Sequence, residues 1–251
     1  MDRAGVSKLI VLMSIVWLQG ASCEGSSSLA PAAELRVAHL APGVPNPLDT
    51  ALDFEVLSQG SFDDIQFAHV SDTVLLDADT YFVTASATNG VAEALADAAP
   101  RLDDSTLSTV IAYRDASEPD GLNLAVLGAD EFGLGTTTGR LVVGHGADDS
   151  EWALVDVVDA STGEVLIAGL AFGDQSAPID VEAGELEVRF DGVLPSADIS
   201  QGPFLVTVEP DELLLLFIID VDTNVNSVNA ELYGLGPRTI GSIDPLPKGM
   251  P

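Results

Sequence analysis

The sequence predicts an all-β chain: two tandem immunoglobulin-like β-sandwich domains behind an N-terminal signal peptide. Three observations lead there. Short apolar runs recur along the chain, separated by Gly, Pro, Asp and Asn, and long stretches with helical period are scarce. Two short stretches, "ELRVAHLAP" at 34–42 and "GRLVVGHGA" at 139–147, read alike about 105 residues apart. Apolar residues make up 47% of the chain against 20% charged, which supplies packed cores and argues against disorder.

The N-terminal stretch "MDRAGVSKLIVLMSIVWLQGASC" places Arg3 and Lys8 ahead of an apolar run from Leu9 to Leu18 and then small residues. That is the layout of a secretory signal, too short to span a bilayer as a mature helix. The single cysteine, Cys23, follows Ala21-Ser22 as the last residues of a bacterial lipobox would, although Gly20 stands where that pattern usually has Leu. We therefore assign residues 1–22 to a signal of lipoprotein type, Cys23 to lipidation, and 23–33 to a Ser/Ala/Pro-rich tether. Ordinary signal-peptidase cleavage near Ala21, leaving a spare thiol, is the alternative. With one cysteine the sequence offers no internal disulfide, so burial must hold the fold.

After the tether the first half runs "LRVAHL", "ALDFEVL", "TVLLDADTYFVTASA", "LSTVIAY" and "NLAVLG". The second half runs "RLVVGHG", "ALVDVVDA", "GEVLIAGL", "GELEVRFDGV", "FLVTVE", "ELLLLFIIDV" and "AELYGL". One stretch, "GVAEALADAAP" at 90–100, is a helical candidate. The halves match in order: His39 with His145, Asp53 with Asp156, Phe67 with Phe172, and "LDADTYFV" at 76–83 with "VEAGELEV" at 181–188. Offsets of 103 to 106 residues mean one unit used twice, with small loop changes. Repeat 1 is set at 34–135, repeat 2 at 138–235, and 236–251 is an extended tail. The apolar run "ELLLLFIID" is too short for a bilayer and reads as a central strand covered on both faces, packed between the domains.

These residues also carry a family resemblance. "LRVAHLAPGVP", "LDFEV", "FAHVSD" and "ADTYFV", with "LVVGHGADD", "VDVVD", "AFGDQSAP" and "EAGELEV", resemble domain-of-unknown-function family 4397 in two copies. Its pattern runs arginine-valine-x-histidine, a Pro-rich turn, valine-aspartate-valine, phenylalanine-glycine and alanine-glycine-threonine-tyrosine. Arg140 stands earlier than the arginine of the pattern, His69 replaces the glycine of the pattern, and the proline after His145 is missing. The resemblance implies exported bacterial proteins with tandem β-sandwiches, and it implies no activity.

Strand alternation points Leu35, Val37 and His39 to one face, and likewise Leu141, Val143 and His145, with Arg36 and Arg140 on the other. At the end of a strand a neutral imidazole satisfies the backbone of the following turn or meets Asp53 or Asp156. Metal ligation is the competing reading, but equivalent positions in consecutive domains lie too far apart to share one ion. Asp53 and Asp156 read as turn carboxylates accepting backbone N–H bonds. A His–Asp pair with no nucleophile is not a triad, and no phosphate loop or nucleophile elbow is present in the sequence.

The sharpest local motif is "DVDTNVNSVNAE". Asp220, Asp222, Asn224, Asn226 and Glu231 occupy positions 1, 3, 5, 7 and 12 of a calcium loop. Val225 fills the position that needs glycine, so an Asn-rich turn between two strands is the competing reading.

The formal net charge is −31. Removing Arg3, Lys8 and Asp2 with the signal leaves seven basic against 39 acidic residues, a net of −32. This field repels nucleic acid and anionic lipid surfaces and suits a salty medium. The sequence thus reads as a non-catalytic binding, adhesion or envelope-structural protein with an unknown surface partner. It needs no cofactor unless the 220–231 loop takes calcium. Its place is the outer membrane or cell surface through lipidated Cys23, otherwise the periplasm or medium. The alternatives are an extracellular polymer hydrolase using clustered carboxylates and a calcium-dependent binding module.

Overall fold

The computed structural model describes residues 32–42, 51–88, 94–130, 134, 136–147, 152–193, 199–220, 230–235 and 240–243. The first set of strands is β1 (Ala33–Leu40), β2 (Ala51–Val56), β3 (Gly60–Gln66), β4 (His69–Val70), β5 (Val74–Leu76), β6 (Val83–Ala87), β7 (Ala96–Ala98), β8 (Thr106–Arg114) and β9 (Leu122–Asp130). The second is β10 (Thr138–Gly146), β11 (Leu154–Asp159), β12 (Val165–Ala171), β13 (Ile179–Glu182), β14 (Gly184–Gly192), β15 (Ser200–Val208), β16 (Leu213–Asp220), β17 (Ala230–Leu235) and β18 (Ile240–Ile243). The fold is all-β. The helical candidate at 90–100 is corrected in part: Ala96–Ala98 is a strand paired with β6, because Ala96 and Ala98 pack on the core while Asp97 faces out. Within the stretch read as a tail, Ile240–Ile243 pairs with β17.

Each set forms two sheets. The first has β4-β1-β8-β9, with β5 also on β1, over β3-β2-β6-β7. The second has β13-β10-β16-β17-β18 over β12-β11-β14-β15. In both sets the first strand pairs in parallel with a later one, Ala38 beside Ile111 on β8 and Gly144 beside Phe217 on β16. Repetition extends to single backbone angles. Ser58 and Gly163, Asp64 and Gly169, Ala68 and Gly173, Ser105 and Asp211 all take left-handed φ, between 57° and 81°.

Three apolar clusters stack between four sheets. Leu35, Val37, Phe54, Val83 and Val110 fill the first sandwich, and Leu141, Val143, Trp152, Phe190, Phe204, Leu216 and Ile218 fill the second. A third cluster lies between the two sandwiches. Leu40, Ile111, Tyr113 and Leu127 face Val142, Leu215, Phe217, Ile219 and Leu235 there. This explains "ELLLLFIID": along β16, alternate residues serve the second sandwich and the junction, so neither face meets water. The same holds for β1 and for β10 from Leu141 onward. Opposite ends of the junction are pinned by matched arginines. Arg36 donates to the Leu235 carbonyl at 3.3 Å, and Arg140 donates to the Asp130 carbonyl at 2.8 Å. Asp130 lies on β9 and Leu235 on β17, equivalent strands of the two repeats, so each arginine reaches across to the other repeat. The two sandwiches meet through equivalent faces, with Leu107, Ile111 and Leu127 of the first matched by Leu213, Phe217 and Leu235 of the second.

Candidate functional site

The sequence singles out the ends of β1 and β10, and the structure builds the same constellation at both. His39 and His145 are fully buried. Ala41 N–H donates to His39 Nδ1 at 3.2 Å, and Ala147 N–H donates to His145 Nδ1 at 3.3 Å. With Nδ1 accepting, the neutral tautomer carries its proton on Nε2, and His145 Nε2 donates it to the Trp152 carbonyl. Burial pushes the His145 pKa below the ordinary histidine value, and the bond to Trp152 opposes this only in part. Phe67 meets the His39 ring edge-on at 6.0 Å, and Phe172 meets His145 at 6.1 Å.

The chain returns past each histidine in the same way. Ala68 N–H donates to the His39 carbonyl and Gly173 N–H to the His145 carbonyl. Ser71 Oγ accepts from Val37 N–H and Ser176 Oγ from Val143 N–H, each at 3.0 Å. These serines were not singled out from the sequence, although both sit four residues beyond the matched phenylalanines, in "FAHVSD" and "FGDQSA". The residue in the glycine conformation of the pattern is Ala68, at φ 59°, matching Gly173 at 81°; His69, read as the replacement, is the next residue along.

Asp53 and Asp156 do not meet the histidines. Asp53 Oδ1 accepts from Asp64 N–H at 2.7 Å and from the Thr88 hydroxyl at 2.9 Å, and Asp156 Oδ1 accepts from Gly169 N–H at 2.7 Å. Each carboxylate therefore satisfies an amide at an irregular point of the neighbouring edge strand, where the β2–β3 and β11–β12 registers shift. Two further aspartates hold turns. Burial pushes Asp115 up, yet bonds from Ser117 and Asn123 outweigh it and leave the carboxyl below the usual range. Bonds from Ser161 and Thr162 hold Asp159 low in the same way.

Among the described residues, open grooves lie on the surface of both sandwiches. One, of about 770 Å³, crosses the outer face of the β3-β2-β6-β7 sheet beside Asp53, Glu55, Ser61, Thr84 and Ser86. Another, of about 390 Å³, runs along β12. Of the calcium-loop residues, Asp220 and Glu231 fall on the paired strands β16 and β17, while Asp222, Asn224 and Asn226 lie outside the described residues, as does Cys23. Among the described residues no group of three or more His, Cys, Asp or Glu is placed to hold a metal ion.

No family model matches the chain, and no curated protein matches it. Among solved structures, it is similar to a protein from Bacteroides ovatus described as a "putative adhesin", at 8% identity and a TM-score of 0.23, over 90% of this chain and 100% of that one. A likeness of that size transfers nothing to the residues described above.

Proposed function

We propose that the chain is a non-catalytic binding module displayed outside the cell, exported by residues 1–22, anchored through lipidated Cys23, and belonging to family 4397. The observation that carries the reading is the use made of its chemistry-bearing side chains. Both matched histidines are buried with Nδ1 accepting from the next turn, and both matched aspartates accept strand amides. A general base must reach a substrate proton; the two histidines are sealed inside the fold, and the two half-exposed aspartates are engaged by strand amides. What the two sandwiches offer a partner is their outer faces and edges, which suits adhesion or envelope structure.

The hydrolase reading rests on one feature, the outer-face groove beside Asp53 and Glu55. Incubating the purified chain with insoluble peptidoglycan sacculi and with insoluble extracellular polysaccharide separates the two. Retention on a polymer without release of soluble fragments supports binding. Fragment release that Glu55→Gln abolishes overturns it in favour of hydrolysis. Mass spectrometry of the mature N-terminus checks the anchor: an acylated Cys23 is expected, and a free N-terminus near Ser22 removes it.

A further inference from the structure

The two repeats differ most usefully along one edge strand. β3 and β12 occupy the same place in their sandwiches, each at the edge of an outer sheet. β3 reads GSFDDIQ and keeps its rim charged with Asp63 and Asp64, both exposed. Charges of this kind protect a sheet edge from other chains. β12 reads VLIAGLA, with no charge in seven residues, in a chain of net charge −31. Ala168 and Gly169 stand where β3 has its two aspartates, and both are exposed. Val165 is 48% exposed. At the opposite edge of the same sheet, β15 carries Pro203, which has no N–H to offer.

β12 is also one wall of the 390 Å³ groove. Leu166, Ile167, Ala168 and Ala171 line it on one side, and Ile179, on the strand of the other sheet's edge, lines it on the other, with Asp174 beside them. The surroundings are mainly acidic. From Leu141 to Val188 the chain has no Lys or Arg, and Asp156, Glu164 and Asp174 flank the groove along the sequence, while Asp180, next to Ile179, is taken up by its ion pair with Arg140. An apolar channel inside an acidic field is complementary to apolar side chains carried on a cationic backbone. A second copy of this chain would bring another −31 to the same place.

We propose that the β12 groove docks an extended segment of a cationic partner protein, with apolar residues alternating with Lys or Arg. The inference rests on the binding-module reading above and names its partner class. The β11–β12 register shifts twice, at Val155/Val157 and Val157/Val158, so β12 does not present a regular ladder. Affinity therefore comes from burying apolar side chains between basic ones, and main-chain pairing is secondary.

The test uses the full mature chain and a synthetic peptide alternating valine with lysine, followed by fluorescence anisotropy at about 0.15 M and about 1 M salt. The variant Leu166→Ser/Ala168→Asp places the β3 residues Ser61 and Asp63 at their β12 equivalents, and the β3 backbone shows that the position accepts them. Wild type is expected to bind the valine–lysine peptide at least about tenfold more tightly than the variant, with part of the binding surviving high salt. A matching serine–lysine peptide should bind weakly, lose its binding at high salt, and ignore the variant. Equal affinity of both peptides, or of both proteins, overturns the proposal, because the attraction is then general charge. Concentration-dependent dimers in sedimentation that the variant abolishes also overturn it, in favour of a second copy as occupant. Retention on sacculi or polysaccharide with no peptide binding removes the groove assignment and leaves the binding-module reading standing.

Discussion

Ala68 is the residue where the two repeats disagree about backbone cost. It sits at φ 59°, and Gly173 sits at 81° in the matching turn. A side chain in the left-handed region crowds its own carbonyl, and glycine avoids this. Ala68→Gly should therefore stabilise the fold by about 0.5–1 kcal/mol, the strain relieved exceeding the entropy glycine adds to the unfolded chain. Gly173→Ala should lower it by a similar amount; there the new Cβ meets only the Tyr113 hydroxyl, at 3.4 Å, so conformation and not crowding decides. Urea midpoints of both variants check the pair, and a destabilised Ala68→Gly refutes it. His145 makes the second case. Its folded pKa lies below the unfolded value of 6.5, so the unfolded chain binds the extra proton first as pH falls. The stability it contributes is complete above that pH and is lost as pH drops toward the folded pKa. The low carboxylates Asp115 and Asp159 lose theirs only as pH falls below their unfolded value of 3.8. Between pH 7.5 and 5 the wild-type midpoint should fall further than that of His145→Gln, and parallel curves would exclude the histidine as the cause.

Among the elements, β10 and β16 show why some of the architecture could be read from the sequence and some could not. The run "ELLLLFIID" is apolar at every position because both of its faces are covered, and continuous hydrophobicity reports that directly. The matched histidines, phenylalanines and aspartates were visible because identical residues recur in the same order at nearly the same spacing. Ser71 and Ser176 were not, because a serine that ties a returning segment to β1 or β10 has no periodic signature. Nor was β7, whose three small residues look helical until they pair with β6. The close packing of the junction was equally hidden. Repeat 1 places Ala38 and Leu40 beside Ile111 and Tyr113, whereas repeat 2 places Gly144 and Gly146 beside Phe217 and Ile219. A Cβ on Gly144 would lie 2.5 Å from Phe217 Cδ2 and 2.7 Å from Leu127 Cδ1, both in the packed junction. Gly144→Ala should thus cost about 1–3 kcal/mol by overpacking. Gly144→Ala combined with Phe217→Leu should recover part of that cost, which thermal melts of the three variants can measure. Additive losses would mean that Phe217 does not set the limit.

In the whole molecule the two repeats are joined as one body by the shared apolar layer and the paired arginines. Arg36 is 1% exposed and also donates to Thr109 Oγ1 at 2.9 Å, so its charge is held inside the junction. Arg140 is held at the surface by Asp180 at 2.8 Å, and that bond keeps the Asp180 carboxyl below the usual range. Heating should give one calorimetric transition for both repeats. Arg36→Ala should lower stability by several times as much as Arg140→Ala, since removing the first leaves buried acceptors unpaired, whereas the acceptors of the second, the Asp130 carbonyl and the Asp180 carboxylate, lie on exposed residues where water replaces it. Two resolved transitions in the wild type would show that the junction does not couple the repeats.

The whole chain carries 40 acidic residues against nine basic ones, so its largest unfavourable long-range interaction is its own charge. The described ion pairs Arg101–Asp103, Arg140–Asp180 and Arg189–Asp191 neutralise few of those carboxylates. The unfolded chain spreads the same charge over a larger volume, so repulsion weighs more on the fold. Salt shortens the reach of that repulsion from about 10 Å at 0.1 M to about 3 Å at 1 M. The melting temperature should therefore rise by several degrees between low and molar sodium chloride, and potassium chloride at the same ionic strength should do the same. A flat or falling curve would refute adaptation to salt. Calcium chloride compared at matched ionic strength separates screening from binding. An added rise at millimolar calcium, absent in Asp220→Ala, would assign the 220–231 loop to calcium, and coincident curves would leave screening as the whole effect.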